Sequence, residues 1–355
     1  MNSNLQKNII GLICLLFLSL SYEVQAGNPD RQGEAGAYEL LLNPWAKSAG
    51  LHTMSTSMIK GVEALRLNPA GLARISATEI LFGHARYLEG TDVKMNAFGL
   101  AQKVGENGTF GFSLMSVEFG DIPVTTTNQP EGTGATFSPN FFNLGLSYAH
   151  TFENKISVGI TLRVISESIA DLSAFGVAID AGVQYVTGPA DNFKFGISLR
   201  NIGSRMRFDG QGLSFPTENP DGTLSFDITV DQRSAEFELP SALNIGMSYD
   251  FNLLNSQRVT ILGNFTSNSF SRDQLGAGVE YALKEMFMLR AAYKVEVGLS
   301  AEQSAEASVY SGLSAGATIE VPVKKNGTSR LGIDYAYRAT QPFSGTHNFS
   351  VRITL

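Results

Sequence analysis

The chain has 355 residues, 43% hydrophobic and 17% charged, with a net charge of −7. That balance argues against a nucleic-acid partner, which would bring a basic patch, and no motif implies a cofactor. Low charge with 36 glycines and 23 phenylalanines suits either a secreted β protein or an outer-membrane barrel, and the length allows two ordinary domains or one large β architecture.

Residues 1–26 have the form of a secretory signal peptide: Lys7, an apolar run from Ile9 to Leu20, then Val24-Gln25-Ala26 as the small-residue cleavage signal. The run, about a dozen residues, falls short of the roughly 20 a membrane helix needs. The single cysteine, Cys14, lies inside it, so the mature chain is expected to carry no thiol, disulfide or cysteine metal site.

Residues 27–77 are not strand-like. Small residues (Ala35, Gly36, Ala37, Ala46, Ala49, Gly50) surround Trp45, and Asn68-Pro69-Ala70-Gly71-Leu72 forms a turn. Pro fixes φ and keeps the preceding Asn out of the helical region. The segment is too small for a core of its own and is expected to pack as a hatch inside something larger.

From Thr78 to Leu355 the period becomes two. Candidate strands span 78–88, 92–104, 108–119, 140–153, 155–168, 172–187, 192–203, 239–251, 257–268, 272–284, 286–297, 309–323, 329–339 and 346–355. Ile156, Val158, Ile160 and Leu162 alternate with Ser157, Gly159, Thr161 and Arg163. At the end of the chain, Phe349, Val351, Ile353 and Leu355 alternate with Asn348, Ser350, Arg352 and Thr354. A terminal strand with one greasy face is a liability as a soluble edge; in a closed barrel it is the seam.

The connections give a second signal. The long ones (120–139, 204–238 and 298–308) are all odd-numbered, and the even-numbered ones are short turns such as Gly105-Glu106-Asn107-Gly108. Long loops on one rim and short turns on the other describe a transmembrane antiparallel β-barrel of about fourteen strands in the outer membrane, the short turns periplasmic. An even strand count places both termini on the periplasmic side. A β-sandwich or propeller would need sandwich-length strands or a repeat of 40–50 residues, and neither is present.

Chemistry-bearing patterns are sparse. His52, His84, His150 and His347 lack metal-ligand spacing, and no hydrolase elbow, phosphate loop or His-Glu-x-x-His occurs, so no enzyme is expected. Asp180 and Asp334 are expected to pair in the lumen with Arg163, Arg200, Arg338 or Arg352, because charges in a narrow barrel must be paired or wet. Loop 204–238 carries Asp209 and other acids together with Phe208, Phe215, Phe226 and Phe237. One reading is a solvated rim; the other is a docking surface, since binding is placed on loops over rigid scaffolds and aromatics anchor interfaces.

Asn68-Pro69-Ala70-Gly71-Leu72-Ala73, the loop motif Gln129-Pro130-Glu131-Gly132-Thr133-Gly134, Phe175-Gly176-Val177-Ala178-Ile179-Asp180 with Gly182, Asn201-Ile202-Gly203 and Met206-Arg207-Phe208-Asp209-Gly210 resemble the PorV/PorQ family. The wider FadL-like group shares Asn-Pro-Ala alone. Ile59-Lys60-Gly61-Val62 stands where members often carry an Asp pair, the pattern of a PorV-like paralogue. The resemblance implies a fourteen-stranded barrel with a hatch in its lumen, in an outer-membrane component of type IX secretion. Its partners would be outer-membrane lipid, the translocon barrel and the C-terminal signal domains of cargo. Candidate contact residues are Gln129, Pro130, Glu131, Phe208, Asp209, Phe215, Phe226 and Phe237, with Asn68, Pro69 and Ala70 as the hatch motif. The alternative is a FadL-like transporter of hydrophobic small molecules, which predicts an apolar cavity between hatch and wall.

Overall fold

The computed structural model describes residues 27–152, 155–218, 226–254, 256–299, 308–309, 312–323, 329–340 and 343–355; the expected signal peptide lies outside them. Fourteen strands make the wall: β1 Thr78–Arg86, β2 Lys94–Val104, β3 Gly108–Glu118, β4 Asn140–Phe152, β5 Ile156–Ile169, β6 Leu172–Thr187 and β7 Phe193–Gly203, followed by β8 Ala242–Leu254, β9 Gln257–Asn268, β10 Gln274–Leu283, β11 Phe287–Glu296, β12 Gly312–Pro322, β13 Arg330–Arg338 and β14 Thr346–Thr354. Each pairs antiparallel with its sequence neighbours, and β14 returns to β1 in continuous register from Glu79↔Thr354 to Arg86↔His347. The ring leaves no open edge, the arrangement that satisfies backbone groups inside a bilayer.

Alternation sorts the side chains as expected. On β5, Ile156, Val158, Ile160 and Leu162 are exposed while Ser157, Gly159, Thr161 and Arg163 are buried. On β14, Phe349 and Val351 face out and Asn348, Ser350 and Arg352 face in. β8 starts three residues later than the pattern suggests. Leu239 leaves the alternation to bury against Ala37, Leu40 and Met206, and the Ser241 N–H closes a turn onto its carbonyl.

Residues 27–77 lie in the lumen as short helices (Ala46–Ala49, Ala64–Leu67) and 3₁₀ turns (Tyr38–Leu41, Pro69–Arg74). One side is apolar: Trp45, Val62, Leu65 and Leu72 pack on inward Leu81, Met95, Ala101 and Met115 of β1–β3. Trp45 is 2% exposed. The other side meets the polar half of the wall.

The hatch is threaded from the rim that bears the long connections. Gly27 bridges Arg272, and the Asn28 N–H donates to Ser271, both in the connection between β9 and β10. Ala35 bridges Glu238 in loop 204–238, where the Gly36 N–H also bonds. The Arg31 guanidinium joins Glu34 at 2.8 Å and Glu238 at 3.2 Å, and lies 4.2 Å from the centre of the Phe270 ring. The segment then descends to the opposite rim, where the Val62 N–H meets Glu79 at 2.7 Å. This departs from the expectation for the start of the mature chain, since Gly27 lies at the rim opposite the one where β1 begins. Strand count fixes only where β1 and β14 begin and end; a luminal hatch crosses once more before β1.

Candidate functional site: a clamped plug beneath projecting loops

Short, irregular elements leave backbone carbonyls without helical or sheet partners, and burial makes each one costly. Here wall and hatch side chains satisfy them. Buried Asn68 caps the 3₁₀ turn, its Oδ1 accepting from the Ala70 N–H at 3.2 Å while its Nδ2 donates to Thr56 O (2.9 Å) and Val183 O (3.2 Å). Gln184 Nε2 donates to Thr56 O and Ile59 O at 3.0 and 2.9 Å. Arg66 donates to Leu42 O (2.8 Å), Asn143 Oδ1 (3.0 Å) and Glu39 O. Arg163 and Arg200 reach Leu65 O and Leu40 O at 3.0 and 2.9 Å.

Glycine lets the Asn-Pro-Ala turn touch the wall. A Cβ on Gly159 would overlap the Pro69 carbonyl, and one on Gly182 would overlap the Asn68 amide. The motif is therefore seated in a two-residue dent of β5 and β6.

Charged residues of the lumen pair as the alternation suggested. Arg163 meets Asp180 at 2.6 Å with both side chains buried, and Asp180 also accepts the Asn201 N–H at 2.7 Å. Asn201 holds φ at 59°, a left-handed conformation that Asn tolerates. Arg352 meets Asp334 and Glu320, each at 3.4 Å. Towards the short-turn rim Arg258 joins Glu280 (2.9 Å) and Glu285 (2.8 Å), Arg290 joins Glu280 (2.5 Å), and Lys194 pairs with Asp250. Lys194, Asp250, Arg258, Glu280 and Glu285 line a cavity of about 470 Å³, together with Lys47 and Lys60 of the hatch. Charged side chains share its lining with apolar Leu51, Met58, Ile59, Ile75 and Met288.

The loops divide the predicted contact residues. Gln129, Pro130 and Glu131 are exposed on loop 120–139, beyond a turn in which Thr126 and Gln129 exchange backbone bonds. In loop 204–238, Phe208–Gly210 pairs onto the outer end of β6 with Asp209 exposed. Phe208 and Phe237 are half-buried, ring centres 5.8 Å apart, against Ala37 and Leu40 of the hatch. Phe215 and Phe226 point to solvent, 47% and 51% exposed. Phe215 sits on a hairpin, Ser214–Glu218 with Asp227–Asp231, directly opposite Val230, also exposed. Glu302 and Glu306 of the third long loop lie outside the described residues. Sequence reasoning did not single out Arg66, Gln184 or Lys294; the signal for the first two is their match to hatch carbonyls, which needs the tertiary path.

A closed fourteen-strand barrel with a greasy exterior, long loops on one rim and a filled lumen is an outer-membrane protein. The model of the family "Type IX secretion system membrane protein PorP/SprF" matches residues 65–354, from the second hatch helix through β14, and the chain belongs to that family. The expected class, a type IX secretion outer-membrane protein, holds, and the family model that matches is that of PorP/SprF. No curated protein matches the chain. Among solved structures, the Pseudomonas putida toluene transporter TodX superposes with a TM-score of 0.54 at 14% identity, covering 88% of this chain and 97% of that one. The monoaromatic hydrocarbon channel CymD gives 0.54 at 12% identity (88% and 96%), and a Pseudomonas aeruginosa FadL homologue gives 0.50 at 14% (87% and 97%). At such identities the likeness is one of fold.

Proposed function

We propose that this PorP/SprF family member is a non-enzymatic component of the type IX secretion apparatus that docks a protein partner on its extracellular loops. The observation that carries the reading is the pairing of Ser214–Glu218 with Asp227–Asp231, which leaves Phe215, Val230 and the adjoining Phe226 exposed on a barrel whose lumen holds a hydrogen-bonded plug. Aromatic anchors ringed by acids (Glu218, Asp227, Asp231) suit a partner with an apolar pocket and a basic rim. A PorV-like role would make that partner the C-terminal signal domain of cargo; an accessory role would make it the translocon barrel.

The test is mild-detergent purification from membranes with a photo-crosslinker at Phe215 or Phe226. The expected result is a crosslinked secretion component, whose identity separates translocon from cargo. Recovery of the barrel alone, carrying a hydrophobic small molecule, would instead support the transporter suggested by the FadL-like architecture. The bonded plug weighs against that second reading.

A further inference from the structure

On the outer side of the hatch a second cavity, of about 340 Å³, lies between residues 32–53 and the upper wall. Its mouth is formed by Gln32, Gly33 and Tyr38, all exposed on the rim with the long loops. Three cationic side chains line it, Arg200 of β7, Lys294 of β11 and Arg338 of β13, and none of its described lining residues carries a carboxylate.

Lys294 is the informative one. Alternation turns it inward and it is 7% exposed. Its register neighbours on both flanking strands are glycines, Gly276 and Gly312, so no cross-strand side chain faces it. The acid that opposes its ammonium is Glu296. Glu296, two residues further on the same face, is held by the Ser308 N–H at 3.1 Å and by Gln274. Arg200 spends one nitrogen on Leu40 O, leaving its Nε without a partner. Beneath the cavity, burial together with Lys294 and Arg338 holds His52 well below the usual histidine range, and neither ring nitrogen has a partner. An ammonium removed from water with a single, shared counter-charge is costly, and an anion in the cavity would add a second.

We infer that this outer cavity binds a hydrophilic organic anion of small-metabolite size, a carboxylated or phosphorylated sugar, with Lys294 as its principal contact. The volume lies at the small end of ligand pockets, about 300–1,000 Å³. Asn244, Thr266 and Gln274 supply hydroxyl and amide partners for sugar hydroxyls, and the exposed ring of Tyr38 offers a stacking face.

The test uses the full-length protein in detergent, titrated calorimetrically with glucuronate, glucose 6-phosphate, neutral glucose, inorganic phosphate and decanoate. Both sugar anions should bind, with glucose at least tenfold weaker. Lys294→Met should weaken both by tenfold or more while keeping the folded electrophoretic mobility; Gln274→Leu, which leaves the charge in place, should weaken them less. Equal binding of glucose, an unaltered affinity in Lys294→Met, or no binding at all would overturn the inference. So would inorganic phosphate binding as tightly as the sugar anions, or decanoate binding more tightly, the latter returning the cavity to a transporter. None of these outcomes depends on the loop-docking proposal, which crosslinking tests separately.

Discussion

The Arg163–Asp180 pair gives the sharpest test of how the plug is held. Asp180 is a carboxylate within the field of three guanidiniums, Arg66, Arg163 and Arg200. It accepts from Arg163 at 2.6 Å and from the Asn201 N–H at 2.7 Å, all buried. Asp180→Asn keeps the volume and an acceptor but removes the carboxylate common to all three cations, Glu39 opposing Arg66 alone. Removing one member of a buried pair costs about 3–5 kcal/mol because the other charge is left uncompensated; retained hydrogen bonding puts this variant near the lower end. About 3 kcal/mol is roughly two decades in an equilibrium constant. Arg163 also donates to Leu65 O, so the loss falls on the contact between hatch and wall. Trp45, the only tryptophan, lies in the hatch and is buried, so its emission reports plug release while electrophoretic mobility without boiling reports the wall. In urea, Asp180→Asn should red-shift Trp45 at a clearly lower concentration than wild type, ahead of the wall transition. Coincident midpoints in wild type and variant would refute the claim that this pair anchors the plug.

Asn68→Ala removes a cap and two donated bonds. It should lower the Trp45 transition by at least the 0.5–2 kcal/mol, or about 1, typical of a lost cap, and an unchanged urea midpoint would count against the anchoring role. Burial, with Glu167 alongside, pushes the Glu39 carboxyl up to about 8. A raised acid pKa means the folded state holds the extra proton, so its contribution is full below the ordinary carboxylate range and is lost as pH rises towards 8. Glu39→Gln should therefore raise thermal stability at pH 8 to 9 and leave it unchanged at pH 4 to 5, by scanning calorimetry. A tag inserted after Gly27 should be labelled by an impermeant reagent on intact cells, and one after Leu355 only after the outer membrane is opened; the reverse pattern would invert the threading. Phe237→Ala, truncating a half-buried ring on the hatch, should cost roughly 1.5–2.5 kcal/mol, half the usual Phe→Ala penalty. Phe215→Ala should leave the Trp45 transition in place and abolish the crosslinked partner.

The wall was legible because each strand separates lipid from lumen, so a period of two is written along its whole length. Thirteen to sixteen residues of unbroken alternation in β4–β6 allow no other assignment. Connection lengths added the up-and-down order independently. The start of β8 was misplaced because Leu239 continues the alternation in sequence while serving the hatch in space. The hatch path was not legible: its outer tether is a set of backbone bonds to Ser271, Arg272 and Glu238, which no local pattern encodes. The outer cavity was equally hidden. Lys294 looks like any inward lysine until register sets Gly276 and Gly312 beside it.

The two halves of the loop 204–238 aromatics carry different duties, and that division links the site to the plug. Phe208 and Phe237 grip Ala37 and Leu40, and Glu238 is shared between Arg31 of the hatch at 3.2 Å and Arg205 of the loop at 2.9 Å. The exposed hairpin is thus continuous with the clamp that holds the upper hatch. At the other end Asn68 and Gln184 fix the plug to β6 by bonds that involve no loop residue. Phe208 and Phe237 thus hold the segment around Leu40 from the loop, while the Asn-Pro-Ala turn is seated separately against Gly159 and Gly182.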